Sequence, residues 1–324
     1  MNDSSEQEFI QQQLEQIESW FREGRITKER YELTRTNFLA QFDTVSDEEY
    51  FALRDAARRP ALLLDKMPRP DMPGAPGCWL GGLPTLPSDI AWPWFTYHGR
   101  PLAPMHFVAQ IDLAQLPNLE GLPARSTTGT LFFFVSPILN QLLDGNGCGP
   151  KGHVFYVAGD VSRLAPRPMP AFPDFADFPN LVEGWEVHYE ETRTTSLDRW
   201  NIGFRPFENL ERVDDRRTAV TRRIGEEQSE IMDALSAEAV SRLAGATRMT
   251  DYAALHRMFG LCMGSPRTPD PTDAKSGKCR LLLLDWDADI GYYDYLTRWT
   301  SFWIGRDDLE HGRFERAFLE FEGA

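Results

Sequence analysis

Met105-His106-Phe107-Val108-Ala109-Gln110-Ile111-Asp112 and, after a turn-rich interval, Thr130-Leu131-Phe132-Phe133-Phe134-Val135 are two short apolar runs closed off by turn residues. Runs of this length are strands rather than helices, and their β-branched and aromatic content suits a pleated surface. His153-Val154-Phe155-Tyr156-Val157-Ala158 repeats the pattern, and residues 185–189, 281–286 and 300–304 are predicted as further strands. Helical spacing enters this part of the chain at 226–244, where Ile231, Leu235, Ala239 and Leu243 recur every four residues, and a closing helix is expected over 307–319. The fold class that follows is α+β with a predominantly antiparallel sheet core. An internal echo runs through it. Phe107 to Asp112 followed by Leu131 to Phe134 is matched by Leu281 to Asp285 followed by Ser301 to Ile304. Two pseudo-repeated halves or a chance likeness of strand pairs would both produce it.

Towards the N-terminus the pattern changes. Ile10, Leu14, Ile17 and Phe21 line one helical face, Gly24 ends that helix, and Thr27 caps a second carrying Tyr31, Phe38 and Phe42. Residues 1–44 therefore read as a helical hairpin. Two short helices cannot bury both faces alone, so the hairpin docks on its own body or on another copy of the chain. A third helix is expected from Asp47 behind Ser46, followed by a stretch rich in Pro and Gly (Pro60, Pro68, Pro70, Pro73, Pro76). Residues 45–76 read as helix plus linker, with the domain boundary there and the α+β domain spanning 77–324. The five prolines of 166–179, interleaved with Phe172, Phe175 and Phe178, predict an extended surface loop.

Composition limits the partners. With 34 basic against 49 acidic residues the formal charge is −15, which disfavours phosphate backbones and anionic membranes. It favours a cationic protein partner by accelerating its approach. No run is long and apolar enough for a membrane helix, and the polar, acidic Met1-Asn2-Asp3-Ser4-Ser5-Glu6 is unlike a signal peptide, so a cytoplasmic protein is expected. Cys78, Cys148, Cys262 and Cys279 are scattered without a C-x-x-C pair, which points away from disulfides and metal.

No catalytic grammar stands out. Gly81-Gly82-Leu83-Pro84 lacks the phosphate-loop spacing, and the six histidines form neither H-E-x-x-H nor H-x-H. No cofactor and no metal site is expected from sequence. Gln110 and Asp112 lie two apart on a strand and so share a face, as do Asp285 and Asp287 with Asp289. Gln110 and Asp112 satisfy turn backbone or bind a ligand; Asp285, Asp287 and Asp289 form a solvated strand end or hold a cation, and a metal-assisted hydrolase would be built on Asp112, Asp285 and Asp287. Two aromatic clusters, Trp92, Trp94, Phe95 and Tyr97 and then Tyr292, Tyr293 and Tyr295 with Asp289 and Asp294, have the composition of a protein-binding hot spot. The candidate binding residues are Trp92, Trp94, Tyr97, Gln110, Asp112, Asp285, Asp287, Tyr292, Tyr293 and Tyr295.

Two resemblances bear on these residues. The ordered series Leu80-Gly81-Gly82-Leu83-Pro84, Trp92-Pro93, Gln110-Ile111-Asp112-Leu113, Gly129-Thr130-Leu131-Phe132-Phe133-Phe134, 281–287 and 302–304 resembles the YwqG-like family of bacterial proteins, from Gly77 to the end. That resemblance implies an α+β fold and no known reaction. Some members occur near interbacterial toxin genes, which implies a protective binding role of the immunity type. The chain departs from that family where Leu replaces Gln ahead of the late acid, which puts a polar role there in doubt. Glu23-Gly24-Arg25-Ile26-Thr27-Lys28-Glu29-Arg30-Tyr31 resembles the SHOCT type of short helical module, implying oligomerisation through the hairpin.

Overall fold

The computed structural model describes residues 3–39, 47–69, 71–120, 126–136, 149–174, 193, 197–210, 219–248, 253–259, 277–292 and 300–321. The chain divides into two compact units, Met1–Arg58 with Leu210–Glu230, and Arg59–Asn209 with Ile231–Ala324.

The first unit carries the expected hairpin. Helix α1 (Asp3–Arg22) ends at Gly24, whose φ of +69° is the left-handed conformation glycine adopts without strain. Helix α2 (Lys28–Leu39) is capped by the Thr27 hydroxyl, which accepts the Arg30 amide at 3.2 Å. Phe21 and Tyr31 stack across the turn with ring centroids 4.7 Å apart. Helix α3 (Asp47–Ala57) contacts the first turns of α4 (Ala219–Arg242): Arg54 Nε donates to Glu227 at 2.7 Å, Tyr50 donates to the same carboxylate, and Arg223 lies over the Tyr50 ring.

The second unit is built on a ten-stranded sheet. Its strands are β1 (Arg58–Lys66), β2 (Trp79–Leu80), β5 (His106–Asp112), β6 (Thr130–Val135), β7 (Gly152–Val157), β8 (Trp200–Leu210), β9 (Arg257–Met258), β10 (Lys278–Leu284), β11 (Thr300–Gly305) and β12 (Phe318–Phe321), in the order β12-β11-β10-β9-β1-β8-β2-β5-β6-β7. A separate hairpin, β3 (Trp94–Tyr97) with β4 (Arg100–Pro104), lies outside it. Within the quartets β2-β5-β6-β7 and β9-β10-β11-β12 every neighbouring pair runs antiparallel. The sheet curls until its outermost strands meet. A methyl group added at Gly152 of β7 would lie 2.7 Å from Leu319 Cδ1 of β12.

The registers of the two quartets are alike. In β5–β6, Phe107 faces Phe134 and Ala109 faces Phe133, with Val108 bulged out; in β10–β11, Arg280 faces Trp303 and Leu282 faces Phe302, with Leu281 bulged out. A bulge at the same ladder position in both quartets makes Asp112 equivalent to Asp285 and Phe133 to Phe302. Phe133 and Phe302 meet edge to face at 5.1 Å in the shared core, beside Leu62, Leu80, Ile111, Ile202 and Leu284. β1 and β8 lie side by side between the two quartets and join them. β1, first in the chain, pairs with β9 of the second quartet, whereas β8 pairs with β2 of the first.

Three expectations are corrected. The expected linker begins with β1, because the buried run Ala61-Leu62-Leu63-Leu64 outweighs Pro60, which sits near the strand's start where a missing amide is tolerated. The expected closing helix stops early: α5 (Arg306–Glu310) ends before Gly312 at φ +69°, and a 3-10 turn at Phe314–Arg316 leads into β12. Helix α4 starts at Ala219, earlier than the period-four pattern. The strand expected at 185–189 lies outside the described residues.

Candidate functional site

The carboxylates that follow β10 converge on one buried ionic network. Lys66, last residue of β1, places its Nζ 2.6 Å from Asp287 Oδ2, 2.8 Å from Asp289 Oδ2, and 4.9 Å from the Trp200 ring centre. Asp285 donates its backbone amide to His256 Nδ1 at 3.1 Å, so the imidazole proton resides on Nε2 and is donated to Asp287 Oδ2 at 2.9 Å. The remaining carboxylate oxygens accept backbone amides: Asp285 from Leu255 and Trp286, Asp287 from Asp289, and Asp289 from Arg248, with the Thr247 hydroxyl added. Lys66, His256, Asp285, Asp287 and Asp289 are all buried. Burial alone would raise the Asp287 pKa; the His256 hydrogen bond and the nearby Lys66 ammonium outweigh it and hold it at about 2.

Among the described residues, each carboxylate of this network and both nitrogens of His256 already have partners. Both nitrogens of His256 are engaged, so it has no lone pair or proton for a substrate. Among the described residues no group of three or more His, Cys, Asp or Glu is placed to hold a metal ion. What the network does is fix a loop. Asp285 and Asp287 pin the Trp286 and Asp289 amides, Asp289 ties the loop to Thr247 and Arg248, and the side chain between the first two, Trp286, has 38% of its surface exposed.

The other sequence candidates lie elsewhere. Gln110 is buried, its carbonyl oxygen accepting from the Thr85 amide and hydroxyl and its amide donating to the Gly77 carbonyl. Asp112 caps the 3-10 turn Leu113–Gln115 by accepting the Ala114 amide at 3.0 Å, and is not among the carboxylates around Lys66. Trp92 is buried, its indole donating to the Met105 carbonyl, so it supports the fold rather than a surface. Trp94 and Tyr97 are half-buried on β3. Tyr292 is wholly buried and donates to the Val108 carbonyl; burial and then the Asp287 charge push its pKa well above the usual phenol value. Tyr293 and Tyr295 lie outside the described residues. Sequence reasoning missed Lys66, His256 and Trp286. A lysine ending the apolar run Leu62-Leu63-Leu64-Asp65-Lys66 was the available signal, since a buried lysine requires a counter-charge.

Gly81 links the halves at this end. Its φ is +62°, a methyl group there would fall 2.2 Å from the Asp198 carbonyl oxygen, and the Asp198 amide donates to Ile290 of the Trp286 loop. Two quartets of antiparallel strand joined through β1 and β8, with a buried ionic network beside them, make up an α+β domain. The chain belongs to the family described as domain of unknown function DUF1963, whose model matches residues 79–322. No curated protein matches it.

Proposed function

We propose that the chain is a protein-binding module without catalysis, and that Trp286 is the centre of the surface it uses. The observation that carries this reading is the rigid presentation of that side chain. An exposed indole on a loop pinned by buried carboxylates is ordered before a partner arrives, and the ordering entropy that weakens loop-mediated binding is largely absent. Tryptophan is also the residue type most enriched at interface hot spots, where one side chain contributes roughly 2 kcal/mol or more. The formal charge of −15 supports a cationic partner. The YwqG-like resemblance gives the concrete version, an immunity-type protein that masks a toxin in the cytoplasm. The SHOCT-like hairpin supports self-association as the second contact. The metal-assisted hydrolase reading is less well supported, because Asp112 has different partners from Asp285 and Asp287.

The test is affinity capture of the tagged chain from its own cells at low and high salt, with Trp286→Ala run in parallel and bound proteins quantified. A stoichiometric, salt-sensitive partner held by the wild type and lost by the variant is expected. The variant's own stability should stay within about 0.5 kcal/mol, as for an exposed site. A partner held equally by both chains, or none by either, refutes the reading.

A further inference from the structure

The segment that leads into β8 runs beside the Trp286 loop. Its Asp198 amide donates to the Ile290 carbonyl at 2.9 Å, and its Leu197 carbonyl accepts the Gly82 amide at 2.9 Å, so the segment is fixed from both sides. Arg199, the next residue, is exposed. Its guanidinium carbon lies 3.9 Å from the centre of the Trp79 ring, and that buried indole gives it a flat floor. Nε and Nη2 both donate to Asn201 Oδ1, at 3.2 and 3.1 Å. Gly82 makes room for this arrangement: at its φ of +68°, a methyl group would fall 2.6 Å from Arg199 Cβ.

An arginine held in this way is ordered but only partly used. Asn201 takes the N–H groups along one edge of the guanidinium, and the edge formed by Nη1 and Nη2 keeps a second fork that matches a carboxylate. Arg205, Arg242, Arg313 and Arg316 each meet a carboxylate, but among the described residues none meets Arg199. Its neighbour Asp198 turns instead to Arg248, at 3.8 Å. In a chain of formal charge −15, an ordered arginine is thus left without an acid. Because Arg199 is exposed, a partner reaches it without opening the core.

We propose that Arg199 is a second anchor of the Trp286 surface and grips a carboxylate, an Asp or Glu side chain, of the protein bound there. This rests on the protein-binding reading of Trp286. The path from Trp286 through Ile290 and Asp198 bounds the separation of the two anchors at about 25 Å. A standard interface patch is roughly 30 Å across, so one partner covers both. The net negative charge accelerates the approach of a cationic protein, and Arg199 then fixes its register by the position of one acid. Tryptophan and arginine are both enriched among interface hot spots, and here each is ordered before contact.

The test selects peptides from a random displayed library on the full chain and on Trp286→Ala, and resynthesises those that the wild type enriches. A shared Asp or Glu is expected in them, and no enrichment by Trp286→Ala. In titration calorimetry, changing that acid to its amide should weaken binding to the wild type roughly tenfold, and to Arg199→Gln by less than about twofold. Arg199→Lys keeps the charge and loses the fork, and should lie nearer to Arg199→Gln. Enrichment that depends on Trp286 but shows no shared acid, or an acid-to-amide loss equal in the wild type and both Arg199 variants, overturns the Arg199 proposal alone. No enrichment by the wild type, or equal enrichment by Trp286→Ala, overturns the protein-binding reading and this proposal with it.

Discussion

Replacing Lys66 with Met removes one ammonium and leaves two carboxylates without it in a buried site. Asp287 and Asp289 lie 2.6 and 2.8 Å from Nζ, and neither can turn to water. Removing one partner of a buried ion pair costs about 3–5 kcal/mol, because the remaining charge stays desolvated. Against a typical total stability of about 5–15 kcal/mol this is a large fraction, equivalent to a fall in melting temperature on the order of 10 °C. Urea unfolding followed by tryptophan fluorescence measures it directly, since Trp200 lies beneath the ammonium. Adding Asp287→Asn to Lys66→Met should return part of the loss by deleting one stranded charge. The pH dependence supplies a second reading. Asp287 is held at about 2 against an ordinary 3.8, so its contribution is fully present above pH 4 and is lost as pH falls through 2. The gap between wild type and Lys66→Met should therefore be widest at neutral pH and narrow below pH 4. A loss under about 1 kcal/mol at pH 7, typical of exposed pairs, or a gap that stays constant to acid, would refute the ionic lock.

Two further perturbations test other parts of the second unit. His106 is buried, and burial lowers its pKa to about 4 from an ordinary 6.5. The unfolded chain takes up that proton first, so about 3 kcal/mol of stability should be lost as pH falls from 6.5 to 4. His106→Phe should flatten that stretch of the stability–pH curve, and parallel curves for the two chains between pH 7 and 5 would count against it. Gly152→Ala brings a methyl carbon to 2.7 Å from Leu319 Cδ1 and 3.0 Å from Phe302 Cε1, for an expected loss of about 1–3 kcal/mol in urea midpoint experiments. No loss would mean that β7 and β12 are not in apposition.

The fold was legible where one physical signal dominated. The aromatic run of β6 and the period-four spacing of α4 each reported an element, and the echo between Asp112 and Asp285 reported a likeness that recurs in the bulged registers of β5–β6 and β10–β11. Pro60 misled because a local breaker was weighed without the central position that β1 takes between β9 and β8. The same-face carboxylates Asp285, Asp287 and Asp289 were recognised as a set, but Lys66 lies more than two hundred residues away in the chain, and no local pattern joins them. Tyr292 and Trp92 illustrate a further limit. A polar aromatic reads the same in sequence whether its hydroxyl or indole meets water or, as here, the Val108 and Met105 carbonyls.

The central placement of β1 and β8 governs the order of assembly. β8 lies between β1 and β2, and β1 between β8 and β9, so these two strands join the quartets at the centre of the sheet. During synthesis β1 can pair with β8, and β8 with β2, while the other edge of β1 stays open. Closure waits until β9 has been translated, and the rate is set by contacts distant in the chain. The two similar quartets are thereby bound through β1 and β8 into a single cooperative event.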